Sequence, residues 1–298
     1  MNDEDDIAGA KNWESGLEDR VLVASLASGS AGNALLVQAG DEALLVDAGI
    51  SLRSLERLLA ARGVAPAQVR AVLLTHEHDD HALSAVAFAR RYGVPVVANA
   101  PTLAALGDTA TTAPVAALPV GERGAIGAFS VESFRVPHDA ADPVGYRVQA
   151  AGVTIAVAVD LGSWDATTVA ALSAADLIVI EANHDRELLP SAPYPPAVRR
   201  RISGPRGHLD NTQCGQLLAQ IVATGAPSDV WLAHLSRHAN TPQAAVAGVG
   251  RTLRQAGVQR IPRLHPLPAR AQPIAGGIPI WRAGERWQQP HLFAFDES

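Results

Sequence analysis

Four side chains able to hold a metal ion, His76, His78, Asp80 and His81, fall within six residues, directly after the apolar run 71–74. Imidazole nitrogens and a carboxylate without a thiolate suit Zn²⁺ or Mn²⁺ in a hydrolytic site rather than a thiolate-held structural zinc. Residues one and three of a strand end point the same way, so His76 and His78 can share one ion while Asp80 and His81, a turn later, face a neighbouring one. Four ligands cannot complete two coordination shells, and the missing donors must come from elsewhere in the chain.

The run 71–74 reads as a buried strand that delivers the residues after it to a site. Other apolar runs end in the same way. Residues 43–46 run into Asp47, which either orients a ligand histidine from behind or caps the strand end. The strand 129–136 ends in Pro137-His138-Asp139, and beside an incomplete metal site His138 is a candidate ligand. Residues 153–159, interrupted only by Thr154, lead into Asp160. A bare carboxylate after such a run is costly unless paired or metal-bound, which makes Asp160 the candidate bridging ligand. The strand 177–180 ends in Glu181-Ala182-Asn183-His184-Asp185, and 230–236 carries His234, the last strand-end histidine. His208, in Gly207-His208-Leu209-Asp210-Asn211, opens a helix whose N–H groups favour an anion.

The elements that must position these residues alternate between strand and helix. Strands are expected at 21–25, 34–38, 94–98 and 146–150 besides those above, and helices at 51–62, 82–91, 101–106, 212–224 and 243–256, several closed by glycine. The glycine turn 28–33 is either an ordinary hairpin turn or a set of N–H groups for an anion. With 298 residues, 48% of them hydrophobic, the chain can bury a large core as one domain or two. No apolar run approaches membrane-spanning length, and the N-terminus lacks an export pattern, so a cytoplasmic protein is expected.

The net charge of −6 is concentrated in residues 1–20, with seven acids and two bases. That segment reads as a disordered acidic tail, and the remainder is near neutral. The one locally basic stretch is 186–206, with Arg186, Arg199, Arg200, Arg201 and Arg206 interleaved with Tyr194 and several prolines. The single cysteine, Cys214, excludes an internal disulfide and is expected to pack on a helix. Residues 258–298 show no clean period beyond one edge strand at 292–295, so the folded domain is expected over 21–257.

The ordered set Asp47, His76-x-His78-x-Asp80-His81, His138, Asp160 and His234 resembles the metallo-β-lactamase superfamily over most of 21–256. The turn 28–33, Glu181-Ala182-Asn183-His184-Asp185, the run 193–201, Arg206-Gly207-His208-Leu209 and His234-Leu235-Ser236 resemble its YycJ/WalJ-like branch of DNA exonuclease-like hydrolases. Segments 181–183 and 208–210 are also similar to ribonuclease Z segments that lie near the scissile phosphate. The resemblance implies a four-layer αββα sandwich with a dinuclear site of Zn or Mn at the sheets' shared edge. His76, His78 and His138 would hold one ion and Asp80, His81 and His234 the other, with Asp160 bridging. Asp47, Glu181 and His184 would stand behind the ligands. Two chain-specific departures accompany it: Asp160 and His234 lie too close in sequence for the large insert of β-CASP nucleases, and His238 stands where the YycJ-like pattern is acidic or polar.

The implied chemistry is hydrolysis of a nucleic-acid phosphodiester by a metal-bridging hydroxide. Asp80 would orient it and His208 would donate to the substrate's oxygen. Arg186, Arg199, Arg200, Arg201 and Arg206 would contact phosphates and Tyr194 would stack on a base. The alternatives are a lactonase or thioesterase of glyoxalase II type on the same metal shell, and a non-catalytic metal-binding accessory protein.

Overall fold

The computed structural model describes residues 21–225, 227, 229–269 and 277–285. The acidic segment 1–20 and the strand expected at 292–295 lie outside the described residues. The first half of the chain supplies β1 (Leu22–Ala27), β2 (Ala34–Ala39), β3 (Glu42–Val46), β4 (Val69–Leu73), β5 (Val96–Ala98) and β6 (Val115–Ala117). The second supplies β7 (Arg123–Ile126), β8 (Phe129–Arg135), β9 (Val144–Ala150), β10 (Val153–Ala158), β11 (Leu177–Glu181), β12 (Asp229–Ala233) and β13 (Arg263–Pro266). A last strand, β14 (Ile280–Arg282), returns to the first sheet, giving the orders β14-β1-β2-β3-β4-β5-β6 and β13-β12-β11-β10-β9-β8-β7.

Both sheets follow one plan: antiparallel hairpins first, then parallel strands joined by helical crossovers. The helices are α1 (Leu52–Ala61), α2 (Asp79–Ala82), α3 (Ala85–Tyr92), α4 (Ala100–Ala105), α5 (Ala166–Leu172), α6 (Pro196–Ile202), α7 (Asn211–Val222) and α8 (Pro242–Gln255). Alternate residues of the central strands face opposite layers. Leu44, Val46 and Leu73 join Tyr146, Val157, Val179 and Trp231 between the sheets, whereas Leu45 and Val72 pack outward on Leu55 and Leu59 of α1 and Phe88 of α3. Ile178 and Leu232 similarly pack on Leu217 and Leu218 of α7 and Leu253 of α8. The result is the expected αββα sandwich. Its central strands β1–β4 and β10–β12 are buried on both faces, which is why most of them read as apolar runs.

The parallel registers bring the carboxyl ends together. Val46 pairs with Leu73, Ala158 with Ile180, and Glu181 with Ala233, so Asp47, the 74–76 turn, Asp160, Glu181 and His234 emerge at one end of the two sheets. Tyr146, fully buried on the second sheet, donates its hydroxyl to the Leu74 carbonyl of the first at 2.9 Å, tying the sheets just beneath that end. No described helix is long and apolar enough to cross a membrane.

The structure departs from the sequence reading after Gly257. Residues 263–266 run parallel to β12 and 280–282 run antiparallel to β1, so the sheets draw on this segment rather than stopping short of it. Strands of four and three residues are too short to show a period. What fixes them is Asp229 on β12, buried to 1% exposure. Its carboxylate accepts two hydrogen bonds from Arg263 at 2.7 Å each, one from His265 Nε2 at 3.1 Å and one from Trp281 Nε1 at 3.1 Å. One side chain thus holds β13 of one sheet and β14 of the other. Burial alone would raise the Asp229 pKa, but the hydrogen bonds from His265, Arg263 and Trp281 outweigh it and hold the carboxyl well below the ordinary 3.8.

A carboxyl depressed on folding contributes stability above its unfolded pKa and loses it as pH falls through the folded one. Asp229→Asn is expected to lower the free energy of unfolding by about 1.5–3 kcal/mol at neutral pH. Urea denaturation measures the difference, which should shrink as the pH is taken below the ordinary carboxyl range.

Candidate metal centre

Three of the site's strand-end residues sit in the left-handed region of the backbone: Asp47 with φ 63°, Asp160 with φ 55° and His234 with φ 55°. Each such non-glycine residue costs on the order of 1–3 kcal/mol, a strain that persists only where the surroundings impose it. Here it turns each side chain sharply off its strand and into the shared end of the sandwich. Gly49 allows the other wall to close: a Cβ there would lie 1.7 Å from the Asp80 carbonyl oxygen, so only glycine lets the 47–50 loop lie against the metal-binding turn.

The site residues converge as three adjoining groups, the last of which, Asp160, Glu181, His208 and His234, shares Asp160 and His234 with the second. His76, His78 and His138 offer nitrogens within 4.8 Å of one another, and so, with one oxygen or nitrogen each, do Asp80, His81, Asp160 and His234. Asp160 stands between these first two: its Oδ2 is 3.4 Å from His76 Nε2 and 4.0 Å from His138 Nε2 on one side, and 2.8 Å from His81 Nε2 on the other. Asp80 Oδ2 lies 3.6 Å from His81 Nε2 and 3.5 Å from His234 Nε2.

The outer nitrogens settle which ring atoms face inward. His81 Nδ1 is held by Asp47 Oδ2 at 2.7 Å, His76 Nδ1 by the Thr75 hydroxyl at 3.1 Å, His138 Nδ1 by the Gly207 carbonyl at 3.0 Å and His234 Nδ1 by Glu181 Oε1 at 2.8 Å. In each case Nε2 is left for the cluster, while His78 presents Nδ1, 3.1 Å from His76 Nε2. Histidines backed in this way are oriented and made more basic as metal ligands. Asp47, whose role the sequence left open between orienting a histidine and capping a strand, holds His81 and also accepts from the Thr75 N–H and hydroxyl.

Glu181 is wholly buried and uses both oxygens. Oε2 accepts the backbone N–H groups of Leu161 and Leu209 at 3.1 Å each, and Oε1 is shared between His234 Nδ1 and His208 Nδ1 at 2.8 Å each. His208 lies at the mouth with 16% of its side chain exposed. Burial disfavours charge on all these rings. On His81 the carboxylates of Asp47 and Asp160 outweigh it and push the pKa up to about 10, and on His208 those of Glu181 and Asp160 push it to about 9. His234 is raised well above its ordinary value by Asp160, Asp80 and Glu181, while burial and neighbouring imidazoles lower His76 and burial lowers His138. The carboxylates therefore draw positive charge into the pocket.

Other expected residues fall around this cluster. His184 is buried outside all three groups, its carbonyl accepting the Asn211 N–H. His238 is exposed and edge-on to Tyr194, ring centroids 5.7 Å apart, and the Tyr194 hydroxyl is 3.2 Å from Ser236 Oγ. Of the basic stretch, Arg186 pairs with Asp210, Arg199 donates to the Pro190 carbonyl, Arg201 pairs with Asp139 and Arg206 donates twice to the His138 carbonyl. Arg200 is exposed. The glycine turn joins the β1–β2 hairpin, and three of its amides are engaged: Gly29 donates to Asn33 Oδ1, Gly32 to the Gly29 carbonyl, and Asn33 to the Asp80 carbonyl. Cys214 is buried in the core, its thiol pKa pushed up by burial. Sequence reasoning gave no role to Asn33, Thr75 or Asp139. Only adjacency to ligands marked the last two.

The donor set fits divalent cations. His234 Nε2 is buried without a hydrogen-bond partner, and Asp160 Oδ1, 2.6 Å from His234 Nδ1, has none in hydrogen-bonding geometry. A cation among these atoms would satisfy nitrogens and carboxylates together.

Comparison with known proteins places this arrangement. A family model described as the metallo-beta-lactamase superfamily matches residues 27–158. Over 235 residues the chain is 34% identical to the exodeoxyribonuclease YycJ of Bacillus anthracis, covering 78% of this chain and 89% of that protein. It is 32% identical over 225 residues to the exodeoxyribonuclease WalJ of Streptococcus pneumoniae, covering 74% and 83%. Among solved structures, the metallo-beta-lactamase fold protein YhfI from Bacillus subtilis superposes with a TM-score of 0.64 at 17% identity, covering 89% of this chain and all of that one. The chain belongs to the metallo-β-lactamase superfamily, and within it to the branch of YycJ and WalJ. It is a metal-dependent hydrolase that binds divalent metal.

Because protonated His81 and His234 must lose their inward protons to ligate, metal uptake at neutral pH is expected to release about two protons per chain and to weaken as pH falls. Titration of the chelated protein with Zn²⁺ in a weakly buffered indicator dye measures this. Uptake without proton release would contradict the ligand assignment.

Proposed function

We propose that the chain is a nuclease of exonuclease type, cutting phosphodiester bonds of DNA in the cytoplasm with two divalent ions, Zn or Mn. The observation that carries this reading is His208, held at the mouth by Glu181 with its Nε2 turned away from that contact, where it can donate to a substrate oxygen. The exodeoxyribonuclease names of the YycJ and WalJ relatives support it. In this reading His76, His78 and His138 hold one ion, Asp80, His81 and His234 the other, and Asp160 lies between. Bound there, two such ions would activate water near neutral pH and offset charge developing on the attacking and leaving oxygens.

The chain's residues have distinct parts in the reaction. Asp80, partly exposed beside His81 and His234, accepts a hydrogen bond from the attacking water and aims it. His208, protonated at neutral pH by the field of Glu181 and Asp160, donates from Nε2 to the phosphate's non-bridging or leaving oxygen. Glu181 keeps that ring in place. Tyr194 and Arg200 offer a stacking face and a cation for the strand beyond the cut.

One observation favours a second reading. Arg186, Arg199, Arg201 and Arg206 all have partners within the chain, so the basic surface is weaker than the sequence suggests. A lactonase or thioesterase would need no such surface.

End-labelled single- and double-stranded oligodeoxynucleotides, assayed beside a panel of lactones and thioesters, separate the two. Oligonucleotide digestion that is lost on chelation and restored by Mn²⁺ or Zn²⁺ is expected. Turnover of a lactone or thioester alone would overturn the nuclease reading, and no metal-restored turnover of any substrate would favour an accessory protein. His208→Ala should lower kcat by about 10²–10³-fold with little change in KM, since the donor acts on charge that develops in the transition state.

A further inference from the structure

Asp139 has no role in the site as described, yet it occupies the mouth. Its Oδ1 lies 3.2 Å from His138 Nε2, the ring atom turned toward the cluster, and its side chain remains 32% exposed. Its carboxylate also receives Arg201, which approaches with Nε and Nη2, the latter 3.0 Å from Oδ1. Arg201 comes from the last turn of α6, 62 positions away in sequence. The next loop is stitched to the ends of two strands: Arg206 donates to the His138 carbonyl and His138 Nδ1 to the Gly207 carbonyl, after β8, and Ser163 Oγ, after β10, to the Pro205 carbonyl. A Cβ on Gly207 would lie 2.1 Å from the Arg201 carbonyl oxygen, so the segment is packed down tightly.

The geometry of the pair decides what Arg201 can do. A guanidinium has five N–H donors in a planar fork, and side-on pairing through Nε and Nη2 occupies two of them. The Nη1 edge stays available for a second anion. The Arg201 pKa is raised first by its hydrogen bond to Asp139, with the charges of Asp139, Asp160 and Asp80 also favouring the cation. Arg199, two residues earlier in the same turn of α6, is instead directed to the Pro190 carbonyl.

We infer that Asp139 is a positioning residue that holds Arg201 side-on at the mouth, so that the free edge of the guanidinium grips a phosphate of the strand next to the one being cut. This rests on the nuclease reading above. The pair presents one fixed, planar cation where a lysine or an unanchored arginine would sample many positions at an entropic cost. The ligand it suits is a phosphate with a neighbour, meaning a polynucleotide rather than an isolated phosphodiester.

The test uses the metal-loaded full chain, with KM, kcat and metal content measured for Arg201→Ala, Asp139→Asn and the double variant. The substrates are a single-stranded oligodeoxynucleotide and bis(p-nitrophenyl) phosphate. For the oligonucleotide, Arg201→Ala should raise KM about tenfold at nearly unchanged kcat, and the salt slope of binding should fall by about 0.7. Asp139→Asn should raise KM severalfold, and the double variant should match Arg201→Ala alone, because Asp139 acts through Arg201. The small phosphodiester should respond to none of them. An unchanged oligonucleotide KM in Arg201→Ala, additive effects in the double variant, or loss of metal in Asp139→Asn would each overturn the inference. If the parent turns over lactones or thioesters and no oligonucleotide, the nuclease reading fails instead.

Discussion

A carboxylate buried at the meeting of two sheets is the constraint on which the rest of the structure depends. Asp160 follows an all but uninterrupted apolar strand, is 2% exposed, and stands in a strained backbone conformation. An isolated charge there would be prohibitively costly. The protein surrounds it instead with His76, His81, His138, His208 and His234, three of them (His76, His138 and His234) just after the ends of other strands, and the parallel registers help make that possible. Fold and site are therefore one problem: any change in the register of β10 against β11, or of β11 against β12, would separate Asp160 from groups that offset its charge.

Glu181 adds a second layer to the same logic. One oxygen, Oε1, holds both a metal-facing histidine, His234, and the histidine at the mouth, His208. The orientations of both rings are thereby set by a single buried group, itself fixed by backbone N–H bonds from Leu161, after β10, and Leu209, before α7. Movement of either segment would shift both histidines at once. The strain at Asp47, Asp160 and His234 points the same way, since conformations of that kind are kept where they aim a side chain rather than where they stabilise the fold.

Much of this was legible in the sequence for a physical reason. Strands buried on both faces are nearly apolar throughout, so Asp160 and His234 stand out as the first polar residues after theirs, whereas His76 is marked by the close spacing of His76-x-His78-x-Asp80-His81 and His138 by its strand-end place beside an incomplete metal site. What escaped were relations made only by tertiary convergence. Nothing near Glu181 in sequence says that it bridges His208 and His234. Nothing near Arg201 or Arg206 says that their partners are Asp139 and the His138 carbonyl, so the basic stretch looked like a free phosphate-binding surface. The short strands β13 and β14 carry too few residues for a period, and nothing in the sequence marks Asp229, which holds both.

The arrangement is tested most directly by crystallography of the Zn²⁺- or Mn²⁺-loaded protein, with anomalous data collected at the metal's absorption edge. Two peaks about 3.5–4 Å apart are expected. One should be bounded by His76, His78 and His138, the other by Asp80, His81 and His234, with Asp160 reaching both. A single peak, or a pair that leaves His138 or His234 without a metal contact, would contradict the dinuclear centre built around Asp160.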